Sequence, residues 1–350
     1  MQAALFFALL VLQGGGVVWH DVHAFGVEGK AWKGTKAPFD RLPAKAEAKV
    51  RKAVWDLSRD SAGMCVRFAT DATAIHVRWK LTKKRLAMSQ MPATGVSGVD
   101  LYVRHEGQWR WLAVGWPEFP VSSARLVAHL AKTQRQYLLY LPLYNGVSSV
   151  EIGVPSDAKI EKGKAPKHKP IVFYGTSITH GACASRPGMA HPAIVGRRLG
   201  YPIVNLGFSG NGRLETEVAE LMAEVDAAVY ILDCCPNLSG DEAGKRLGPC
   251  VRALRAKHPA TPILVVEDRT YPSSFLVSHL RKRNSENRKS LRAAFDVLVT
   301  AGQKNLHYLR GEELLGVDGD DTVDGSHPTD LGFQRQAAAF LRVLRGILPR

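Results

Sequence analysis

The sequence predicts two domains: an all-β sandwich or jelly roll, then an α/β domain built on a parallel sheet covered by helices. Three observations predict this. Short alternating runs fill the chain up to about Asp157, apolar strands alternating with amphipathic helices follow Pro170, and a basic, polar segment separates the two. A chain of 350 residues is also long for a single hydrophobic core.

Residues 1–16 come first and read as a signal peptide. The apolar run over 3–12 is too short to span a bilayer, which takes about 20 residues, and it has the length of a signal-peptide core. No Lys or Arg precedes that run and no A-x-A site follows it, so a buried strand or helix start is the alternative. The expectation is a secreted or periplasmic protein, with a cytoplasmic one as the alternative.

The domain over 17–160 is expected to be all β. GMCVRFAT (63–70), TAIHVRWKL (73–81), VDLYVRH (99–105), QWRWLAVG (108–115), RQYLLYLPLY (135–144) and SVEIGV (149–154) are short runs punctuated by Gly, Asp or Asn. The exception is AKAEAKVRKAVWDLS (44–58), whose Ala, Lys and Glu suit a helix. EKGKAPKHKP, counted as a linker over 161–170, has almost nothing apolar to pack.

The domain over 171–350 opens with PIVFYG (170–175), a buried-type strand. HPAIVGRRLG (191–200) is read as a helix, PIVNLG (202–207) as a strand and about 213–224 as a helix. AAVYILD (227–233) is a strand, 242–258 a helix and PILVVED (262–268) a strand. RKSLRAAFDVLVTAG (288–302) is a helix, NLHYLR (305–310) a strand, and a closing helix runs over about 329–345. Parallel sheets of this kind bind ligands outside the carboxyl ends of their strands. That rule selects four places: 175–180, 207–212, 233–237 and the loop before the last helix.

Each place carries a group useful for acyl chemistry. Ser177 stands just past the first strand, where a nucleophile would be exposed beside backbone N–H groups; alone it reads equally as a helix cap. Asp324 and His327 flank a tight turn before Pro328. The carboxylate can there hold one ring nitrogen while the other faces the nucleophile. Gly210 lies in the Gly-rich turn after the second strand and can bring its amide close to a reacting oxygen. Asn237, after Pro236, can donate from its side-chain amide, or merely form an Asx turn. His180 reads as structural or surface. Glu267 and Asp268 read either as pocket lining or as a solvated helix entry.

Taken together, these segments resemble the SGNH/GDSL hydrolases. Gly175-Thr176-Ser177 is similar to the GDSL block with Thr in place of Asp, Ser209-Gly210-Asn211 to the second block, and Pro236-Asn237 to the third without its leading glycine. Asp324-Gly325-Ser326-His327-Pro328 is similar to the final DxxHP block. Gly98-Val99-Asp100-Leu101-Tyr102 resembles the GxDLY motif of a β domain that accompanies one branch of that family, and FDRLPAKA (39–46) is similar to the same branch. The resemblance implies a three-layer α/β/α, flavodoxin-like hydrolase domain. It further implies a Ser177–His327–Asp324 triad and an oxyanion hole made by Ser177, Gly210 and Asn237.

The expected activity is hydrolysis of short-acyl, O-acetyl esters on carbohydrate. A lipase or thioesterase of the same fold is one alternative, and a sugar-binding protein with an inactive hydrolase domain is another. No metal or cofactor is expected. The expected partner is a small-molecule or polysaccharide ester, with no stable insertion in a membrane. Net charge is +15, but Lys and Arg are scattered and no nucleic-acid module accompanies them, so no nucleic-acid partner is expected. The five cysteines include no CxxC pair, and they read as buried free thiols.

Overall fold

A computed structural model describes residues 16–348, so the segment read as a signal peptide lies, but for Gly16, outside the described residues. The first domain holds strands β1 (Val17–Asp21), β2 (Val27–Glu28), β3 (Cys65–Thr70), β4 (Ile75–Leu81), β5 (Val99–His105), β6 (Gln108–Gly115), β7 (Val121–Val127), β8 (Arg135–Tyr140), β9 (Val147–Pro155) and β10 (Ile160–Lys162), with short helices α1 (Lys52–Ser58) and α2 (Ala93–Val96). They form two antiparallel sheets, one in the order β1-β9-β4-β7, the other β10-β3-β8-β5-β6 with β2 beside β3. The period-two alternation explains the packing. Ile75, Val77 and Trp79 of β4 and Val150, Ile152 and Val154 of β9 meet Val66, Phe68, Leu101, Tyr137 and Leu139 of the other sheet in one buried cluster.

The second domain contains β11 (Ile171–Gly175), α3 (Ser177–His180), α4 (His191–Leu199), β12 (Ile203–Gly207), α5 (Thr216–Met222), β13 (Val229–Asp233), α6 (Glu242–Arg255), β14 (Ile263–Val266), α7 (Ser278–Thr300), β15 (Leu306–Leu309) and α8 (Asp330–Ile347). Its parallel sheet has the order β12-β11-β13-β14-β15. Alternate strand residues serve opposite faces. Val172, Tyr174, Leu206, Tyr230 and Leu232 pack under α5, α6 and α7, whereas Ile171, Phe173, Val229 and Ile231 pack under α4 and α8. Three layers result, and β11 sits where the strand order reverses. The carboxyl end of β11 is therefore the place this topology reserves for a ligand. Among the described residues no helix is long and apolar enough to cross a membrane.

The two motifs singled out in the first half join the domains. Arg41, 1% exposed, donates to the carbonyls of Leu57 and Asp60 on its own side and to those of Asn205 and Gly207 at the end of β12. Asp100 is fully buried. Its carboxylate accepts from Trp111 Nε1 at 2.8 Å, and from Arg186 Nη1 at 2.9 Å and the Gly188 amide at 2.8 Å across the interface.

Tertiary contacts redraw several boundaries. The helix expected over 44–58 is interrupted: 44–48 form a 3-10 turn and α1 starts at Lys52. Arg51 between them is extended, and its side chain is drawn to Glu215 and Asn211 of the second domain. The expected linker begins inside β10, because strand pairing needs backbone groups and not apolar side chains. Helix α5 is shorter than 213–224, and α7 starts ten residues before the expected 288. The added turns of α7 bury Asn284 and Asn287, which hydrogen-bond the backbone at Tyr271, Arg269, Gly240 and Leu238. A polar inner face of this kind leaves no apolar period to read. Strand β7, VSSARLV, adds to the expected strands; as an edge strand with serines it lacks a strong alternation.

Candidate active site

Ser177 is the first residue of α3, directly after β11. Thr176 caps that helix, its hydroxyl accepting from the Ile178 amide at 3.2 Å, so threonine performs here the capping that an aspartate could also perform. The Ser177 amide lies in the first turn of α3 and has no intrahelical acceptor. The Ser177 side chain reaches the surface only slightly, the residue being 8% exposed.

The loop over 315–329 brings its partners. Arg335 of α8 grips Asp318 and Asp321, and Asp321 accepts from the Gly316 amide, which shapes the loop from within. The Val323 amide donates to His327 O at 2.8 Å, closing a turn that needs Gly325 at φ +85°. Asp324 Oδ1 accepts from the amides of Ser326 at 3.0 Å and His327 at 2.8 Å. Its Oδ2 lies 2.7 Å from His327 Nδ1, and His327 Nε2 lies 2.8 Å from Ser177 Oγ. The three residues thus form one chain of hydrogen bonds. Burial would raise the Asp324 carboxyl, but the bonds from the His327 amide and ring and the Ser326 amide outweigh it and hold the carboxyl below its ordinary value. Cys183 stands close enough to feel that charge: burial first, then Asp324, pushes its thiol up to about 12.

Gly210 and Asn237 belong to loops that meet beside Ser177. The Phe208 amide donates to Gly175 O at 2.9 Å, and Asn237 Nδ2 donates to Gly212 O at 3.2 Å. Gly210 adopts φ +68°, with open space where a side chain would stand. The strand-end peptide, the 208–212 loop and Asn237 are therefore adjacent.

Several residues at this edge were not found in the sequence. Tyr144, from the first domain, stacks on His180 with ring centroids 4.1 Å apart. Its hydroxyl donates to Ser177 O at 3.3 Å and also engages the Ser209 side chain. Asp233, at the end of β13, is bound by both Nη atoms of Arg269 and accepts from Thr179 Oγ1 at 3.0 Å. The helix carrying Ser177 therefore rests on a buried ion pair. The signal was present as charge at the ends of apolar runs, YILD and VVEDR, but a sequence does not show which charge meets which.

His180 is fully buried, its Nε2 2.7 Å from Leu143 O. Burial, and then the Arg41 charge, hold it well below its ordinary value, so it is neutral and structural. Glu267 and Asp268 are also buried, which corrects the reading of a solvated helix entry. Glu267 accepts from the Tyr308 hydroxyl and the Gly311 amide, and Asn284 lies against Asp268. The five cysteines are free and buried.

Comparison with known proteins agrees in both halves. Residues 168–345 match the GDSL-like lipase/acylhydrolase family, and residues 17–160 match the N-terminal domain of SGNH-hydrolase-type esterases. A GDSL-like lipase structure from Bacteroides ovatus ATCC 8483 is 36% identical, covering 95% of this chain and 98% of its own, with a TM-score of 0.91. The salicylyl-acyltransferase SsfX3 of a tetracycline biosynthetic pathway is 19% identical over 96% of this chain and 99% of its own, with a TM-score of 0.76. A family two carbohydrate esterase from Clostridium thermocellum is 14% identical over 82% of this chain and 95% of its own, with a TM-score of 0.59. The last two likenesses speak for the fold alone. A comparison with curated proteins returned no match. With both halves matched and a relative 36% identical over nearly the whole chain, the protein belongs to the GDSL-like lipase/acylhydrolase family and is an ester hydrolase.

Proposed function

We propose that the protein removes short acyl groups, acetyl foremost, from carbohydrate esters, with Ser177 as nucleophile. The observation that carries this reading is the hydrogen-bond chain from Ser177 Oγ through His327 to Asp324, 2.8 Å and 2.7 Å long at its two links. In the proposed mechanism His327 Nε2 takes the Ser177 proton as Oγ attacks the ester carbonyl. Asp324 stabilises the imidazolium that forms and keeps its Nδ1–H directed away from the serine. The N–H groups of Ser177 and Gly210 and the Asn237 amide hold the oxyanion. His327 then returns the proton to the leaving alcohol, and water, deprotonated by the same ring, releases the acid.

The small acyl group is supported by the slight exposure of Ser177, 8%. The carbohydrate is supported by the first domain, where Trp111 and Trp116 are 49% and 74% exposed, and by the fold shared with a carbohydrate esterase. One observation favours a longer acyl chain: Phe275 and Leu276, between β14 and α7, are 74% and 76% exposed on a loop that leaves the same edge of the sheet.

Hydrolysis of a p-nitrophenyl ester series from acetate to decanoate, with wild type and Ser177→Ala, tests the proposal. Activity greatest on acetate and lost in the variant supports it. A maximum at long chains transfers the assignment to the lipase reading, and activity surviving in Ser177→Ala overturns the mechanism.

A further inference from the structure

We propose that the cleft between the two domains, on the side of α4, is a binding site for an acidic glycan, one carrying uronate carboxylates. This rests on the carbohydrate-ester reading above and names the kind of polymer that would bear the ester. The cleft encloses about 760 Å³ and is lined by Arg104 of β5, Trp109 of β6, Arg186, Arg197 and Arg198 of the second domain, and Arg345 of α8. No Asp or Glu is among its lining residues.

The balance of charge is the first reason. Among the described residues the buried Asp100 faces this group and is held by Arg186 at 2.9 Å, and Glu28 is held by Arg67 at 2.8 Å. Glu106, in the adjoining turn, is directed to His105 at 3.8 Å and Arg110 at 4.0 Å. Arg197 donates to Gly188 O, and Arg198 to Gln334 Oε1, both neutral acceptors. Arg197 shares the Asp100 carboxylate with Arg186, whereas Arg104, Arg198 and Arg345 bring three charges to the same cavity without a carboxylate partner among the described residues. Like charges held together in this way favour an anion between them, and a guanidinium matches a carboxylate with two parallel hydrogen bonds.

The aromatic rings supply the second reason. Arg197 lies 4.0 Å from the Tyr102 ring centroid, and Arg67 and Arg104 lie 5.2 Å and 5.6 Å from that of Trp109. The rings are occupied in ordering guanidiniums. They are not free platforms of the kind on which the bases of single-stranded nucleic acid stack. The volume, about 760 Å³, is that of a small-molecule site. What remains is an anionic ligand a few sugar units long.

Isothermal titration of the full chain with tri-galacturonate, with cellotriose as the neutral control, tests this. Wild type should bind the galacturonate and not the cellotriose, more weakly as salt is added. The variant Arg104→Ser/Arg198→Ser/Arg345→Ser, altered only at exposed side chains, should bind about tenfold more weakly or worse. Its thermal midpoint shows that it is folded. Ser177→Ala, which lacks the nucleophile but keeps the cleft, should bind as wild type does. Activity on p-nitrophenyl acetate in the same preparation separates a failure of the ester reading from a failure of this one. No galacturonate binding by wild type, binding unchanged in the triple variant, or tighter binding of an oligonucleotide would each overturn the proposal.

Discussion

Replacing Asp324 by Asn is a nearly isosteric change whose outcome the hydrogen bonds of the turn decide. Oδ1 of Asp324 accepts from two backbone amides, Ser326 at 3.0 Å and His327 at 2.8 Å, while Oδ2 faces His327 Nδ1 at 2.7 Å. An asparagine has one acceptor oxygen and one NH2 group. Its oxygen must take the Oδ1 position, because the alternative points an NH2 at two N–H donors. The NH2 then points at Nδ1, which can accept only if the ring proton moves to Nε2. That nitrogen lies 2.8 Å from Ser177 Oγ and, once protonated, cannot take the serine proton. The expected loss in kcat is on the order of 10⁴-fold, as for the wrong tautomer in a serine protease triad, or about 5.5 kcal/mol in the barrier. KM for p-nitrophenyl acetate should change little, and the thermal midpoint should stay close to wild type because the turn keeps its amide acceptor. Steady-state kinetics on both proteins are sufficient. A folded Asp324→Asn variant within tenfold of wild type would refute the role given to Asp324.

Asn237→Ala removes one of the proposed oxyanion donors and should lower kcat by about 10² to 10³, leaving activity measurable above Ser177→Ala. Tyr144→Phe deletes the hydroxyl held against Ser177 O at 3.3 Å; the loss of about one hydrogen bond should cut kcat roughly threefold to tenfold, and unchanged kinetics would confine Tyr144 to packing. Arg41→Met leaves the carbonyls of Leu57, Asp60, Asn205 and Gly207 without their donor and should destabilise the chain by about 3–5 kcal/mol in urea denaturation. Burial pushes the Asp268 carboxyl up from 3.8 to about 6, against the pull of Arg269, Arg283 and Arg288. The folded state therefore binds the extra proton, and stability falls as pH rises through that window. Asp268→Asn cannot ionise, so its thermal midpoint relative to wild type should be higher at about pH 8 than at about pH 4, and an equal difference at both would refute the assignment.

The order of strands and helices was legible because each carries its own period: two in β4 and β9, apolar runs in β11 to β14, and 3.6 in α6 and α8. Local physics also determines the Asp324–His327 turn, since both partners lie within four residues of one another around Gly325. Ser177, Gly210, Asn237 and His327 were legible as candidates for another reason: a parallel sheet gathers the carboxyl ends of its strands at one edge, so residues far apart in sequence share a predictable address. What had no such address was left to the tertiary structure. With Asn284 and Asn287 inward, the first turns of α7 carry no hydrophobic period, because their inner face is satisfied by hydrogen bonds. Tyr144 belongs to a different domain from the serine it touches, and only the docking of that domain, through Arg41 and Asp100, brings it there. The arginines of the interdomain cleft read as scattered charge along the chain. They became one positive surface because β5, α4 and α8 pack side by side, and charge, unlike hydrophobic periodicity, carries no record in the sequence of which distant residue it will face.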